Sequence, residues 1–250
     1  AFEFRLQDGH YLVLCRQLGL ETPKLQAFWP AKIKPFTLSY DGTIVREIRD
    51  LTQTNVEAVE RFYAKHLDLK FVEQVEFVVG SNTGILGALL KAKLEGRYDA
   101  EKYAKSQAIH CRDDVLAGAF TFQHVVVVCL SPDLMAVSAE LDQRLHHLAA
   151  REMFRAVQNQ LTAAITRKNS KNPLARQGPE WLLDGSARYL ALRASDPTLD
   201  AVAVVQASNG GAVQVGHLAQ MEMATSDPET RPQDWDACIL AVAELVKLSD

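Results

Sequence analysis

Leu148-Ala149-Ala150-Arg151-Glu152-Met153-Phe154-Arg155-Ala156-Val157-Gln158 and Pro179-Glu180-Trp181-Leu182-Leu183-Asp184-Gly185-Ser186-Ala187-Arg188-Tyr189-Leu190 are the two stretches whose reading decides the fold. The first lies inside a helical pattern that runs from about Asp142 to Thr166. Leu145 and Leu148 fall on one side of it, and Phe154, Val157 and Leu161 on roughly the opposite side. A helix that is apolar on two sides is buried rather than laid on a surface. Into this helix the chain places Arg-Glu-x-x-Arg. Arg151 and Arg155 stand four apart and project from one face, with Glu152 adjacent. Across the polar stretch 168–178, Pro179 takes a place that a first helical turn accepts, and the spacing predicts a second helix from Glu180 to Arg193 with Asp184 near its start.

Working outward, residues 1–35 form a segment of their own, an N-terminal arm or extension punctuated by Gly9, Gly19, Pro23, Pro30 and Pro35. Phe36–Tyr40 alternates apolar and polar residues. The turn signal Asp41-Gly42 follows, and a second short strand is expected from Ile44. Thr54, with Glu57 three residues on, reads as the cap of a helix to about His66. Gln74–Val79 is a strand stopped at Gly80-Ser81-Asn82, and residues 83–107 look helical with a break at Gly96. Phe120–Leu130 is the strongest strand in the chain. Its β-branched run, Val125 to Val128, fits a strand covered on both faces. Asn209-Gly210-Gly211 makes a turn, and Asp234–Lys247 a last amphipathic helix. The order is α+β, with a small mixed sheet in 36–132 and a mainly helical half in 133–250.

Composition bounds the function. The chain has 250 residues, 27 basic and 31 acidic, for a net charge of −4. No block of Lys and Arg supplies the phosphate-neutralising footprint of a nucleic-acid binder, so none is expected as a partner. The longest apolar run, Val125–Leu130, is far short of the roughly 18 residues that a spanning helix needs. Cys15, Cys111, Cys129 and Cys238 show no C-x-x-C spacing, which argues against zinc ribbons and thioredoxin-like motifs. They fit either buried thiols or one or two disulfides; Cys111 and Cys129 are the pair most easily bridged. The start at Ala1 has no signal-peptide pattern, and composition does not decide the compartment. His146 and His147 precede the Arg-Glu-x-x-Arg motif but recreate no metal-ligand spacing, and solvent-facing or capping roles are expected of them. There is no G-x-S-x-G elbow, no P-loop and no G-x-G-x-x-G.

The layout of the two quoted stretches resembles the gluzincin-type metallopeptidases, in particular the small bacterial peptidase-MA-like group. Its members carry H-E-x-x-H and, on the next helix, W-L-x-E-G-x-A-x-Y. On this sequence the first histidine falls on Arg151, the catalytic glutamate on Glu152, the second histidine on Arg155 and the third ligand on Asp184. Gln158, Trp181, Leu182, Gly185, Ala187 and Tyr189 match the surrounding pattern as they stand. The resemblance spans roughly residues 36–250, including Val215-Gly216-His217-Leu218-Ala219-Gln220-Met221-Glu222. It implies a zincin-like domain over those residues, with an edge strand packed on the buried motif helix, and it favours an extracytoplasmic, periplasmic or secreted setting.

The departure from the family pattern sets the functional expectation. Histidines bind zinc through neutral imidazole nitrogens, and the glutamate then serves the metal-bound water as general base. Guanidinium stays protonated, has no lone pair to donate and repels a cation. With Arg at both histidine positions and Asp for Glu at the third, no metal and no cofactor are expected, and Glu152 is a vestigial general base. The chain reads as a catalytically inactive metallopeptidase-like (pseudopeptidase) module that binds a peptide or protein or serves a structural role. The alternative is an enzyme with rebuilt, zinc-independent chemistry or a metallopeptidase with non-standard ligands. Arg151, Glu152, Arg155 and Asp184 sum to zero charge, and the guanidinium groups are expected to pair with Glu152 and Asp184 as an ionic bridge between the helices. The family's peptide groove, between the edge strand and the motif helix, falls on Val126, Val128, Leu130 and Tyr189, where an extended partner would add as a strand. Neither the partner's identity nor the oligomeric state can be read from the sequence.

Overall fold

The computed structural model describes residues 35–67, 74–81, 87–88, 111–112, 115–134, 136–169, 180–200, 203–204 and 232–247. All but the last residue of the 1–35 arm, with Cys15, nearly all of the helix expected over 83–107, the turn at 209–211 and the stretch 215–222 lie outside the described residues.

The described residues hold four strands, β1 (Phe36–Tyr40), β2 (Val75–Gly80), β3 (Ala117–Phe122) and β4 (Val125–Leu130). They form one mixed sheet in the order β1-β2-β4-β3. β1 runs parallel to β2 and β2 to β4, while β3 is antiparallel to β4. The helices are α1 (Arg46–Leu67), between β1 and β2, and then α2 (Ala139–Asn169), α3 (Glu180–Ser195) and α4 (Pro232–Lys247). The fold is therefore α+β, and among the described residues the elements after β4 are helices.

One face of the sheet makes the main core. Phe77 and Val79 of β2 and Val126 and Val128 of β4 meet Val56, Val59 and Tyr63 of α1 and Leu148, Met153 and Phe154 of α2. Tyr63 is fully buried, and its hydroxyl donates to the Ala150 carbonyl at 2.7 Å, so the polar end of a large apolar side chain is satisfied. The opposite face holds a separate cluster of Val78, Phe120, Val125, Val127, Cys129 and Cys111. β4 is thus buried on both sides, as its unbroken valine run implies. Cys111 and Cys129 form a disulfide with their Cα atoms 5.2 Å apart, within the usual span of such bridges. Cys238 is buried and takes no part in that bridge.

Three local expectations are corrected. Phe120–Leu130 is not one strand: Gln123 and His124 turn the chain back, and Phe122 faces Val125 across a two-residue hairpin. Gln123 takes a positive φ of 54°, a conformation that glycine or asparagine usually signals, so the turn carries no sequence mark. Thr54 is no cap. It lies mid-helix in α1, where its hydroxyl donates back to the Asp50 carbonyl at 2.8 Å. Ile44 starts no strand either. Asp41 accepts from the Thr43 amide at 2.7 Å and from the Ser81 amide at 2.9 Å, tying the ends of β1 and β2 together as the chain enters α1.

Candidate functional site

α2 lies against β3, the last strand in the order of the sheet, and α3 packs against α2. The motif residues sit where these elements meet. Glu152 is 4% exposed. Its Oε1 accepts from Arg151 Nε at 2.5 Å and is ion-paired with Nη2 of the same guanidinium, and its Oε2 accepts from the Thr121 hydroxyl of β3 at 2.6 Å. Arg151 then reaches the strand itself, with Nη2 donating to the Ala119 carbonyl at 3.0 Å. One turn pair earlier on α2, Arg144 Nε donates to the Ala117 carbonyl at 3.1 Å. A buried charge is tolerable only when paired and hydrogen-bonded, and Glu152 satisfies both conditions.

On α3, Asp184 Oδ2 accepts from Arg188 Nε at 2.5 Å, one helical turn on. Burial works to raise the Asp184 pKa, but the charges of Arg188, Arg155 and Arg151 together with the Arg188 hydrogen bond hold it below the usual carboxylate range. Arg155 therefore acts on Asp184 across the helix pair. Of the expected ionic bridge, the Arg151–Glu152 pair is present within α2. Asp184 takes Arg188 as a partner, and α2 is tied to β3 as well as facing α3. Arg188, Arg144 and Thr121 are the contributors that the sequence reading missed. The i,i+4 spacing of Asp184 and Arg188 is a legible signal. Nothing in the sequence marks Thr121, because it depends on the register of a hairpin.

The two histidines before the motif are both partly buried among the helices. His146 bridges three helices, with Nδ1 at 3.0 Å from Asn55 Oδ1 and Nε2 at 3.2 Å from the Ala194 carbonyl. The Asn55 amide donates to Leu51 O and Asp142 Oδ1, which fixes its oxygen toward the ring. His147 is pushed down to about 3 by burial first and then by the charges of Arg151, Arg188, Arg144 and His146.

The expected groove residues are corrected. Val126, Val128 and Leu130 belong to β4, which is interior to the sheet between β2 and β3. Their side chains are buried in the core, and Tyr189 is buried with them. An interior strand has its backbone groups paired on both sides, so it offers no place for an added strand. The edge that adjoins the motif helix is β3. Gln158, which the family pattern shares, donates to the Ser186 hydroxyl at 2.9 Å and to the Leu183 carbonyl at 3.3 Å, joining α2 to α3.

Among the described residues, no three His, Cys, Asp or Glu side chains are grouped so as to hold a metal ion. Among the same residues, no helix is long and apolar enough to cross a membrane. Comparisons with protein-family models, with curated proteins and with solved structures found no match to this chain.

Proposed function

We propose that this chain is a catalytically inactive, zincin-like module in which the former metal site has become a structural tie and the neighbouring sheet edge serves binding. The observation that carries the reading is the position of Arg151. At the place of the family's first zinc-binding histidine stands a guanidinium that spans Glu152 Oε1 and the Ala119 carbonyl. The same group cannot also give a lone pair to a cation. Glu152 is committed to Arg151 and Thr121, so its carboxylate is held by protein donors rather than poised over a water. The mixed sheet with an antiparallel edge strand beside the motif helix supports the zincin-like architecture, and the match of Trp181, Gly185 and Tyr189 on the next helix supports the ancestry.

Only 15% of the Arg151 side chain and 6% of the Glu152 side chain are accessible, which favours a sealed tie over a rebuilt catalytic pocket. Metal analysis of protein purified without chelator tests the reading. Zinc well below one equivalent is expected, and the double variant Arg151→His/Arg155→His is expected to take up metal. Stoichiometric zinc in the native chain would overturn the proposal.

A further inference from the structure

The first half of β3 is a poor strand by composition. Ala117-Gly118-Ala119 brings small side chains, of residue types depleted in sheets, with little surface to pack. The turn into β4 gives no local help, since Gln123 sits there at a φ of 54°. Yet this half carries the carbonyls to which two arginines of α2 are bound. Arg144 Nε donates to Ala117 O and Arg151 Nη2 to Ala119 O, and Arg151 also holds Glu152. Thr121, further along the same strand, donates to the other oxygen of Glu152. The surroundings of the buried carboxylate thus depend on a strand whose own side chains do little to keep it in place.

The Cys111–Cys129 bridge falls at this weak half. Its sequence separation is 18, and the loop it closes contains all of β3, the turn and most of β4. Cys129 stands opposite Gly118 of β3 on one side and Gly80 of β2 on the other. Residues directly opposite in a sheet bring their Cβ atoms to about 5 Å. With glycine at both places, neither neighbouring strand sets a side chain beside Cys129, which leaves room for the bridge. The bridge also lies on the face away from the main core. Cys111 and Cys129 pack with Val78, Phe120, Val125 and Val127, whereas the side chains that join the sheet to α1 and α2 are on the other face. Breaking the bridge therefore removes an anchor of β3 and leaves the main core its contacts.

We propose that this bridge is a redox control on the Arg151–Glu152 cluster. Oxidised, it holds the first half of β3 against α2; reduced, it lets that half loosen, and Glu152 and the two arginines lose their partners on the strand. The reductant is a dithiol. One of its thiolates attacks a bridge sulfur to form a mixed disulfide, and its second thiolate then displaces the protein sulfur. Two electrons and two protons pass to the protein, leaving thiols at Cys111 and Cys129 and a disulfide in the reductant. Cys111 is 6% exposed and Cys129 4%, so the dithiol reaches them when the chain opens locally. The control acts on the geometry of the cluster itself and does not rest on the ancestry proposed above.

The test compares the full bridged chain with the variant Cys111→Ser/Cys129→Ser, which isolates this bridge from Cys15 and Cys238. Cys111→Ala/Cys129→Ala, which keeps the buried site apolar, is measured alongside. Hydrogen exchange read by mass spectrometry is expected to quicken about tenfold or more over residues 117–122 in the unbridged variants, with α1 and α4 unchanged. Thr121→Val supplies a readout that a merely stabilising bridge would not move. In the bridged chain it is expected to raise the unfolding constant about fivefold or more, the loss of a donor to a buried carboxylate. In the unbridged variants the same substitution is expected to change it less than about twofold, because Thr121 no longer holds Glu152 there. An equal effect of Thr121→Val in both backgrounds, unchanged exchange over 117–122, or loss of the whole fold in both unbridged variants would each overturn the control. So would free thiols at Cys111 and Cys129 in chain purified under air.

Discussion

At the scale of single residues, the cluster depends on groups that satisfy one buried carboxylate. Glu152 has the Arg151 fork on one oxygen and the Thr121 hydroxyl on the other. Thr121→Val keeps the shape and the β-branch but removes the donor, leaving Glu152 Oε2 without it. That loss is expected to cost about 1–3 kcal/mol, since stranding a buried polar group forfeits its desolvation energy. Thr121→Ser, which keeps the hydroxyl, is expected to cost much less, and urea unfolding of both variants checks the difference. Equal losses would show that Thr121 contributes by packing alone. The motif pair Arg151 and Glu152 could be read from the sequence because helix geometry is local and a spacing fixes a face. Thr121 could not, because its side chain reaches Glu152 only once the β3–β4 register is set. Arg188 stands four residues after Asp184, a spacing that puts the two on one helix face and is legible in the sequence.

At the scale of elements, the sequence revealed helices better than turns. The buried character of α2 followed from its two apolar sides, and Leu145, Leu148, Phe154 and Val157 are all in the core. The hairpin was missed because Gln123 stands where glycine or asparagine would have marked the turn. Two bonds hold that turn in place: Asn159 of α2 donates to Gln123 O at 3.1 Å, and Glu76 N donates to His124 O at 2.9 Å. Tertiary contacts thus override local preference, at a conformational cost of order 1 kcal/mol for a non-glycine residue in the left-handed region. Gln123→Gly is accordingly expected to leave the fold intact and raise stability by up to about 1 kcal/mol, less the extra freedom glycine has in the unfolded chain. A clear loss of stability in thermal unfolding would refute this account of the turn. Gly185 shows the opposite case. In the interior of α3 it would ordinarily gain about 1 kcal/mol on replacement by alanine. Here a Cβ would stand 2.6 Å from the Cys238 carbonyl oxygen and 2.9 Å from its carbon, so α4 approaches α3 through this glycine. Gly185→Ala must push the helices apart and is expected to destabilise by about 1–3 kcal/mol, as overpacked cores do. Because the obstacle is backbone, Cys238→Ala in the same chain is expected to give no rescue, and the paired variants measured by denaturant unfolding decide it.

At the scale of the whole molecule, the positive cluster between β3, α2 and α3 makes folding stability depend on pH, and the sign follows from two kinds of group. His147 is held at about 3 in the folded chain by burial and by Arg151, Arg188, Arg144 and His146, against an ordinary value near 6.5. As pH falls through 6.5 the unfolded chain takes up a proton that the folded chain refuses, so stability is greatest above that value and declines below it. The slope from this one site approaches about 1.4 kcal/mol per pH unit between the two pKa values. Asp184 and Asp41 act in the same direction lower down. Each has a carboxyl held below its ordinary range, Asp184 by neighbouring arginines and Asp41 by hydrogen bonds from Thr43 and Ser81. The unfolded chain protonates these acids first, and the stability they contribute is lost as pH falls below about 4. The chain is therefore expected to lose stability on acidification in two stages, the first between about 6.5 and 4.5 and the second, steeper one below it. His147→Gln removes the imidazole while leaving the arginines in place, so the first stage should flatten and the second persist. Chemical unfolding of both proteins at half-unit steps from about pH 7.5 down to about 2.5 measures this directly. If the difference between parent and variant does not change with pH, burial and the arginines do not impose on His147 the shift assigned to them.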